Sequence, residues 1–154
     1  MGYNFKAYDV IVVGAGHAGC EAALAAARMG CATLLLTIDM DKIAAMPCSP
    51  SIGGMAKGQL VKEIDALGGQ MARTTDISAV QYKTLNTRKG PAVHSTQTQN
   101  DKGVYSRHMK QVLETTMNLD LKQAMVQNLV LENQVVKGVV DNTGFEYAAQ
   151  AIVI

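Results

Sequence analysis

A glycine cluster near the start of the chain has the spacing of a phosphate-binding turn. Gly14, Gly16 and Gly19 form the pattern Gly-x-Gly-x-x-Gly directly after an apolar, β-branched run at residues 9–13. In such a turn the first glycine allows a tight reversal, the second lets the backbone approach a pyrophosphate, and the third lets strand and helix pack closely. The N–H groups that begin the following helix attract phosphate. The pattern indicates a dinucleotide-binding turn, and a glycine turn that binds nothing is the alternative.

The end of the second strand is the usual place for a ribose-binding acid in a dinucleotide fold. Here that position reads Thr37-Ile38-Asp39, without a glutamate that ends the strand. The Asp39 carboxylate or the Thr37 hydroxyl could bind the ribose. Both residues are equally compatible with an ordinary surface turn, so the assignment stays open.

Cys48 lies in a segment, residues 46–54, that holds two of the three prolines and a glycine pair. Such a composition predicts an irregular loop. A loop thiolate beside a cofactor is a candidate nucleophile for an electrophilic carbon, although spacing identifies no general base. The other two cysteines, Cys20 and Cys31, flank an alanine-rich stretch and are expected to be small buried hydrophobes. Three cysteines without metal-ligand spacing indicate free thiols and no metal site.

Positive charge is concentrated in residues 83–110, where six lysines and arginines stand against Asp101 alone, a local net charge of +5. The chain as a whole has a net charge of only +1. Clustered cations of this kind suit phosphate contact, with a nucleic acid or with a cofactor. A solvated basic surface is the alternative. The candidates for nucleic-acid contact are Arg88, Lys89, Lys102 and Arg107.

The elements that must position these residues follow an α/β order. A strand at 9–13, a helix at 20–29 and a strand at 32–37 form a βαβ unit, which is right-handed in nearly every case. Helices are predicted at 60–67 and 101–117, and a strand at 79–85. The last third predicts five strands, at 119–124, 126–131, 135–140, 145–149 and 151–154. Strands joined by hairpins after a βαβ start indicate a parallel sheet with a small antiparallel meander.

Length and composition exclude several classes of protein. The 154 residues suit about one domain. With 48% hydrophobic and 18% charged residues, the chain is not intrinsically disordered. No apolar run reaches the roughly 18 residues of a membrane span, and residues 1–8 do not resemble a secretory signal. A reducing, cytoplasmic setting is therefore expected. The apolar run at 151–154 predicts a strand, which suggests a piece of a longer protein.

Four stretches share a more specific likeness. Residues 12–23, residues 46–54 with 56–58, residues 62–69 and residues 85–93 resemble the family of tRNA uridine 5-carboxymethylaminomethyl modification enzymes, the MnmG/GidA family. The likeness covers the whole chain in register. It implies a Rossmann-like FAD-binding domain of glutathione-reductase type. Residues 1–154 would be the N-terminal part of that domain, incomplete at its C-terminal end, and the family's other domains would lie outside this chain.

The resemblance also implies an activity. FAD would be held by the turn Gly14, Ala15, Gly16, His17, Ala18 and Gly19, with the backbone of Val126 at the adenine and Gly53 and Gly54 as further candidates. NADH would be the reductant, and the substrate would be the wobble uridine of certain tRNAs. Cys48 matches one of two family cysteines proposed to add to C6 of uracil, which makes C5 nucleophilic.

The implied assembly is a homodimer that joins a GTPase, also folate-binding and of MnmE type, in a heterotetramer. That partner would supply a one-carbon unit, and glycine or ammonium would supply the amine. No membrane contact is implied. Another flavoprotein oxidoreductase acting on a small molecule, or an inactive fragment, are the alternatives.

Three positions depart from the family pattern. Ser49 stands where the family usually has asparagine, and His94 and Gln97 stand where it commonly has arginine. The chain therefore lacks two arginine guanidinium groups, which are permanently charged and can each donate two hydrogen bonds to a phosphate. Any tRNA or pyrophosphate contact by this segment would depend on the neighbouring lysines and arginines.

Overall fold

A computed structural model describes residues 7–154. In chain order the elements are β1 (Tyr8–Val13), α1 (His17–Arg28), β2 (Thr33–Thr37), β3 (Ser51–Gly53), α2 (Lys57–Ala66), α3 (Met71–Ser78), β4 (Ala79–Leu85), β5 (Ser95–Asn100), α4 (Lys102–Thr115), β6 (Leu119–Gln123), β7 (Val126–Glu132), β8 (Val135–Asp141) and β9 (Glu146–Val153). Short 3₁₀ turns lie at Met40–Lys42 and Pro91–Val93. The described residues form two compact units, one of residues 7–43 and 112–154 and the other of residues 44–111.

The first unit is built on a six-stranded sheet with the order β6-β2-β1-β9-β8-β7. β6, β2, β1 and β9 are parallel, whereas β7, β8 and β9 form an antiparallel meander. Parallel strands with neighbours on both edges are apolar runs, and every residue of β2 is buried. The predicted mixed sheet, mainly parallel with a small meander, is confirmed.

β9 corrects the prediction of two separate strands at 145–149 and 151–154. It is one continuous strand whose first half pairs antiparallel with β8 and whose second half pairs parallel with β1. Gln150, between the two predicted strands, does not interrupt it. Its side-chain amide points out of the core and donates a hydrogen bond of 3.0 Å to Asp9 Oδ1 in β1.

The second unit carries a three-stranded antiparallel sheet with the order β3-β5-β4, against which α2 and α3 pack. The predicted strand at 79–85 is confirmed as β4. The loop predicted at 46–54 is wrong at residues 51–53, because β3 pairs with β5 from Ser51 opposite Gln99 to Gly53 opposite Gln97. β5 and α3 had no hydrophobic period to reveal them, since their inward-facing residues are largely polar.

The helix boundaries differ from prediction by a few residues. α1 begins at His17 and not at residue 20, α2 begins three residues before the predicted start at 60, and α4 ends at Thr115 and not at residue 117. Met117, expected on the apolar face of α4, lies beyond the helix and is 83% exposed. Met109 and Leu113 on that face are fully buried.

The interior of the second unit is held by side-chain hydrogen bonds. The buried polar residues are Gln70, Thr74, Thr75, Ser78, Ser95, Thr98 and Asn100. Ser78 Oγ donates to the carbonyl of Thr74 at 2.8 Å, and Asn100 Nδ2 donates to Thr98 Oγ1 at 3.0 Å. Thr74 Oγ1 lies 3.1 Å from His108 Nδ1 and 3.3 Å from Gln70 Nε2. Buried polar groups stabilise a fold when they are paired in this way.

Thr74 and Thr75 offer a matched test of that network. Thr74→Val is expected to destabilise the protein by about 1–3 kcal/mol, because the bonds from His108 and Gln70 lose their partner inside the protein. Thr75→Val is expected to be neutral or stabilising, since Thr75 Oγ1 is buried without a hydrogen-bond partner among the described residues. Urea denaturation measures both. Equal losses of stability in the two variants would contradict this account.

Candidate functional site

The glycine turn joins β1 to α1 at the carboxyl end of the sheet's central strands. Gly14 has a φ of +100°, a backbone conformation that favours glycine. Its N–H donates to the carbonyl of Leu36 in β2 at 2.7 Å, which fixes the turn against the second strand. Gly16 is the N-cap of α1 and offers no capping side chain. The N–H groups of the first helical turn are therefore not covered by a cap, and they carry the positive end of the helix dipole.

The second and third glycines of the turn differ in the space that surrounds them. A Cβ on Gly19 would lie 1.8 Å from the carbonyl oxygen of Gly14, so only glycine lets α1 pack this closely on the turn. A Cβ on Gly16 would have no protein atom within 4 Å. The fold therefore requires glycine at 19, whereas the space beside Gly16 is open to a ligand.

A pocket of about 330 Å³ opens beside this turn. Gly14, Ala15 and Gly16 line it on one side, and Val126, from the start of β7, lines it on the other. Residues far apart in sequence are thus brought together at the carboxyl ends of parallel strands, the place where open α/β sheets bind ligands.

His17, Ala18 and Gly19 belong to the first turn of α1 and are not among the residues that line the pocket. Burial lowers the pKa of the partly buried His17 imidazole below its ordinary value, and the nearby Glu21 carboxylate opposes that shift. The imidazole is therefore neutral at pH 7 and adds no positive charge to the turn.

The structure places the two candidate ribose-binding residues, Thr37 and Asp39, differently with respect to the pocket. Asp39 Oδ1 accepts the N–H of Asp41 at 2.8 Å and thereby begins the 3₁₀ turn Met40–Lys42. Thr37 Oγ1 donates to the Asp39 carbonyl at 3.2 Å, and Thr37 lines the pocket. Asp39 is not among the lining residues, but Lys42 is. No sequence pattern pointed to Lys42, because its position depends on the 3₁₀ turn.

Gly53 and Gly54 carry the chain from β3 into α2 in the second unit. Both have positive φ, of 81° and 105°. A Cβ on Gly53 would lie 2.3 Å from the carbonyl oxygen of Thr96, and the Gly54 carbonyl accepts the N–H groups of Lys57 and Gly58 at the start of α2. Both glycines therefore have a backbone role that is independent of any cofactor.

Cys48 lies in the irregular segment before β3, and its thiol is free and exposed. Cys20 is buried, as expected, and its thiol donates to the carbonyl of Ala15 at 3.5 Å. Cys31 is only partly buried. Among the three thiols, that of Cys48 is the one most open to a substrate.

Comparison with known proteins decides the family. The model of the family described as glucose inhibited division protein A, GidA, matches residues 9–154. The chain belongs to the GidA family. The resemblance seen in the sequence is thereby confirmed.

Members of the GidA family match the chain throughout its length. The tRNA uridine 5-carboxymethylaminomethyl modification enzyme MnmG of Syntrophobacter fumaroxidans is 61% identical over 147 residues, which are 96% of this chain and 23% of that relative. The solved structure of Aquifex aeolicus GidA in its form II crystal covers 99% of this chain with 49% identity and a TM-score of 0.94. The chain spans about a quarter of the length of these relatives.

The likeness in fold reaches beyond the GidA family. The crystal structure of pqsL from Pseudomonas aeruginosa, described as a probable FAD-dependent monooxygenase, covers 96% of this chain with a TM-score of 0.67 and 12% identity. At that identity the likeness shows a shared fold alone.

The basic candidates of this GidA-family chain are all exposed residues of the second unit. Arg88 and Lys89 lie in the loop between β4 and β5, and Lys102 and Arg107 lie on α4. His94 closes that loop, because its Nε2 lies 3.1 Å from the carbonyl oxygen of Lys89. It therefore has a local structural role in this loop.

Neither a metal site nor a membrane helix is found in residues 7–154. No three His, Cys, Asp or Glu side chains in that range are grouped to hold a metal ion. None of the helices described there has the length and apolar character needed to span a membrane.

Proposed function

We propose that this chain is the N-terminal part of the FAD-binding domain of a tRNA-modifying flavoenzyme, whose remaining domains lie outside residues 1–154. The complete protein would form 5-carboxymethylaminomethyluridine at the wobble position of certain tRNAs. The observation that carries the proposal is a dinucleotide-binding turn, open at Gly16, in a chain 61% identical to a protein named as that modification enzyme.

The residues of the pocket fit FAD. The N–H groups at the start of α1 and the open space beside Gly16 suit a pyrophosphate. The backbone at Val126 would meet the adenine. Bound FAD would supply the redox chemistry, with NADH as the reductant. The chain's own residues hold the dinucleotide and orient its adenosine half.

Cys48 would act on the tRNA base. Its thiolate would form a bond to C6 of the uracil, and the electron pair displaced from the C5–C6 double bond would make C5 the nucleophile. C5 would then form a bond to the one-carbon unit that the folate-binding partner provides, and the electron pair of the bond broken there would stay on the carrier. Loss of the C5 proton and release of the thiolate from C6 would restore the C5–C6 double bond. The exposure of the thiol supports this role.

The tRNA phosphates would be contacted by exposed cations of the second unit. The candidates are Arg88, Lys89, Lys102 and Arg107. The partner would be a GTPase, also folate-binding, that provides a one-carbon unit, and the enzyme itself would be a cytoplasmic homodimer. Support for these assignments is the family membership together with the local positive charge.

The purified full-length protein provides the first test. A visible flavin spectrum that NADH bleaches is expected, together with wobble-uridine modification in extracts supplied with the GTPase partner. A colourless protein that takes up no FAD would refute the proposal. A bound flavin without any tRNA modification would instead favour an oxidoreductase acting on a small molecule.

Cys48→Ala is expected to abolish wobble-uridine modification while the bound flavin keeps its spectrum, because the thiolate acts on the base and not on the cofactor. Nucleoside analysis of tRNA from a strain whose only copy is the variant measures the effect. Cys31→Ala, which removes a partly buried thiol, is the matched control and is expected to retain modification. Normal modification in Cys48→Ala would remove this cysteine from the mechanism.

A further inference from the structure

Lys42 gives the candidate nucleotide pocket a positive charge. Within the part of the chain that the structure describes, it is the only charged residue among those lining the pocket. It stands at the end of the 3₁₀ turn Met40–Lys42, directly after β2, and its side chain is exposed to solvent. Its neighbours in the pocket include Thr37 and Ile38 from the end of β2 and Gly14 from the glycine turn.

The position of Lys42 is fixed by Asp39, one of the two residues that the sequence offers for contact with a ribose. Asp39 Oδ1 accepts the N–H of Asp41 at 2.8 Å, and the Asp39 carbonyl accepts the N–H of Lys42 at 3.3 Å. The acid thus holds the short turn that carries the lysine. Where related dinucleotide folds have a carboxylate for the ribose hydroxyls, this pocket has a lysine among its lining residues.

A pyrophosphate bound in this pocket would need more positive charge than the glycine turn provides. A dinucleotide pyrophosphate carries two negative charges, and the end of a helix dipole offsets only about half a unit charge. His17 in the turn is neutral at pH 7, because burial lowers its pKa. The backbone N–H groups of the turn orient the phosphates, but among the residues lining the pocket a full positive charge comes only from Lys42.

We propose that Lys42 binds the adenosine diphosphate portion of the dinucleotide, with its ammonium group donating to oxygens of the ribose and pyrophosphate. The inference rests on the proposed function, since it takes FAD as the ligand. It predicts that the affinity for FAD falls as salt is added, because ions screen charge-assisted contacts at an exposed site. It also predicts that ADP, which carries the contacted groups, shows the same dependence.

Titration of the flavin-free full-length protein tests the proposal with FAD, with ADP and with riboflavin as probes. Lys42→Met is expected to weaken FAD and ADP about tenfold each at low salt, the equivalent of about 1.4 kcal/mol, and to flatten the dependence of both affinities on salt. Lys42→Glu should weaken both further, and Lys42→Arg should retain them. Riboflavin has neither the pyrophosphate nor the adenosine, so its affinity should be the same in all variants. Lys137→Met replaces an exposed lysine of the same unit outside this pocket and is the matched control.

Each outcome decides between the inference and the proposed function. Unchanged FAD and ADP affinities in Lys42→Met would overturn the inference while the proposed function stands. A wild-type protein that binds ADP through Lys42 but takes up no FAD would refute the proposed cofactor and retain the role of Lys42. Failure to bind either probe would refute both.

Discussion

Alanine in place of Gly16 is expected to weaken FAD binding tenfold or more while the fold keeps its stability. The added methyl group would meet no protein atom within 4 Å, so nothing in the folded chain opposes it. It would stand in the space where the backbone must approach a pyrophosphate. A tenfold loss corresponds to about 1.4 kcal/mol of binding free energy. Flavin fluorescence titration measures the affinity, and urea denaturation of the apoprotein measures the stability.

Gly19→Ala is the matched control, and its effect falls on the fold. A Cβ there would lie 1.8 Å from the carbonyl oxygen of Gly14, so α1 must shift away from the turn. Forced overpacking of this kind costs about 1–3 kcal/mol, and occasionally more. The two variants therefore distinguish a residue that leaves space for a ligand, Gly16, from one that is needed for packing, Gly19. Equal losses of stability in Gly16→Ala and Gly19→Ala would show that the space beside Gly16 is not free for a ligand.

Removal of the Asp141 carboxylate is the second substitution with a large expected effect. Asp141 is the buried last residue of β8. Its side chain accepts four hydrogen bonds: from the N–H of Thr143 at 2.8 Å, the hydroxyl of Thr143 at 2.6 Å, the N–H of Phe145 at 3.0 Å and the hydroxyl of Tyr147 at 3.0 Å. Hydrogen bonds to a charged group are among the stronger ones in proteins. Asp141→Ala is expected to destabilise the protein by about 3–5 kcal/mol.

The contribution of Asp141 should also depend on pH. The hydrogen bonds, that from the Thr143 hydroxyl above all, hold the pKa of the Asp141 carboxyl below its ordinary value, although burial opposes them. The folded state thus binds the proton less tightly than the unfolded state. The stabilisation is complete above the ordinary carboxyl pKa of about 3.9 and is lost as the pH falls through the depressed value.

Denaturation of the wild type and Asp141→Asn from pH 7 down to pH 3 measures this dependence. The difference in unfolding free energy is expected to be constant near neutral pH and to shrink below about pH 4. Glu146→Gln, at an exposed position at the start of β9, is the control and should show little difference at any pH. A difference between wild type and Asp141→Asn that grows in acid would contradict the assignment.

What the sequence could predict was mostly local. The βαβ start and its glycine turn lie within about thirty consecutive residues, so hydrophobic period and turn chemistry were sufficient to identify them. Val126 was predicted as a cofactor-binding residue from the family resemblance alone. Its place in the pocket depends on strand pairings between distant parts of the chain, which a local pattern does not reveal. No sequence pattern indicated Lys42, because its place beside the glycine turn depends on the 3₁₀ turn that Asp39 begins.

The missed elements share a physical cause. β5 buries Ser95, Thr98 and Asn100, so its inward face is polar and gives no apolar alternation. β3 is only three residues long and lies in a segment whose proline and glycine content is typical of loops. Such strands are stable because long-range hydrogen bonds satisfy their polar groups, and those partners cannot be read from a local pattern. Secondary-structure propensity therefore did not predict β3 and β5, because their pairing depends on tertiary contacts.

The single strand β9 makes the meander and the parallel sheet one cooperative structure. Its first half is hydrogen-bonded to β8 and its second half to β1, the strand that leads directly into the glycine turn. Local opening that releases β9 removes partners from both parts at once, so neither is free to unfold as a separate subglobal unit. The order of the glycine turn is thereby coupled to a hairpin at the far side of the sheet.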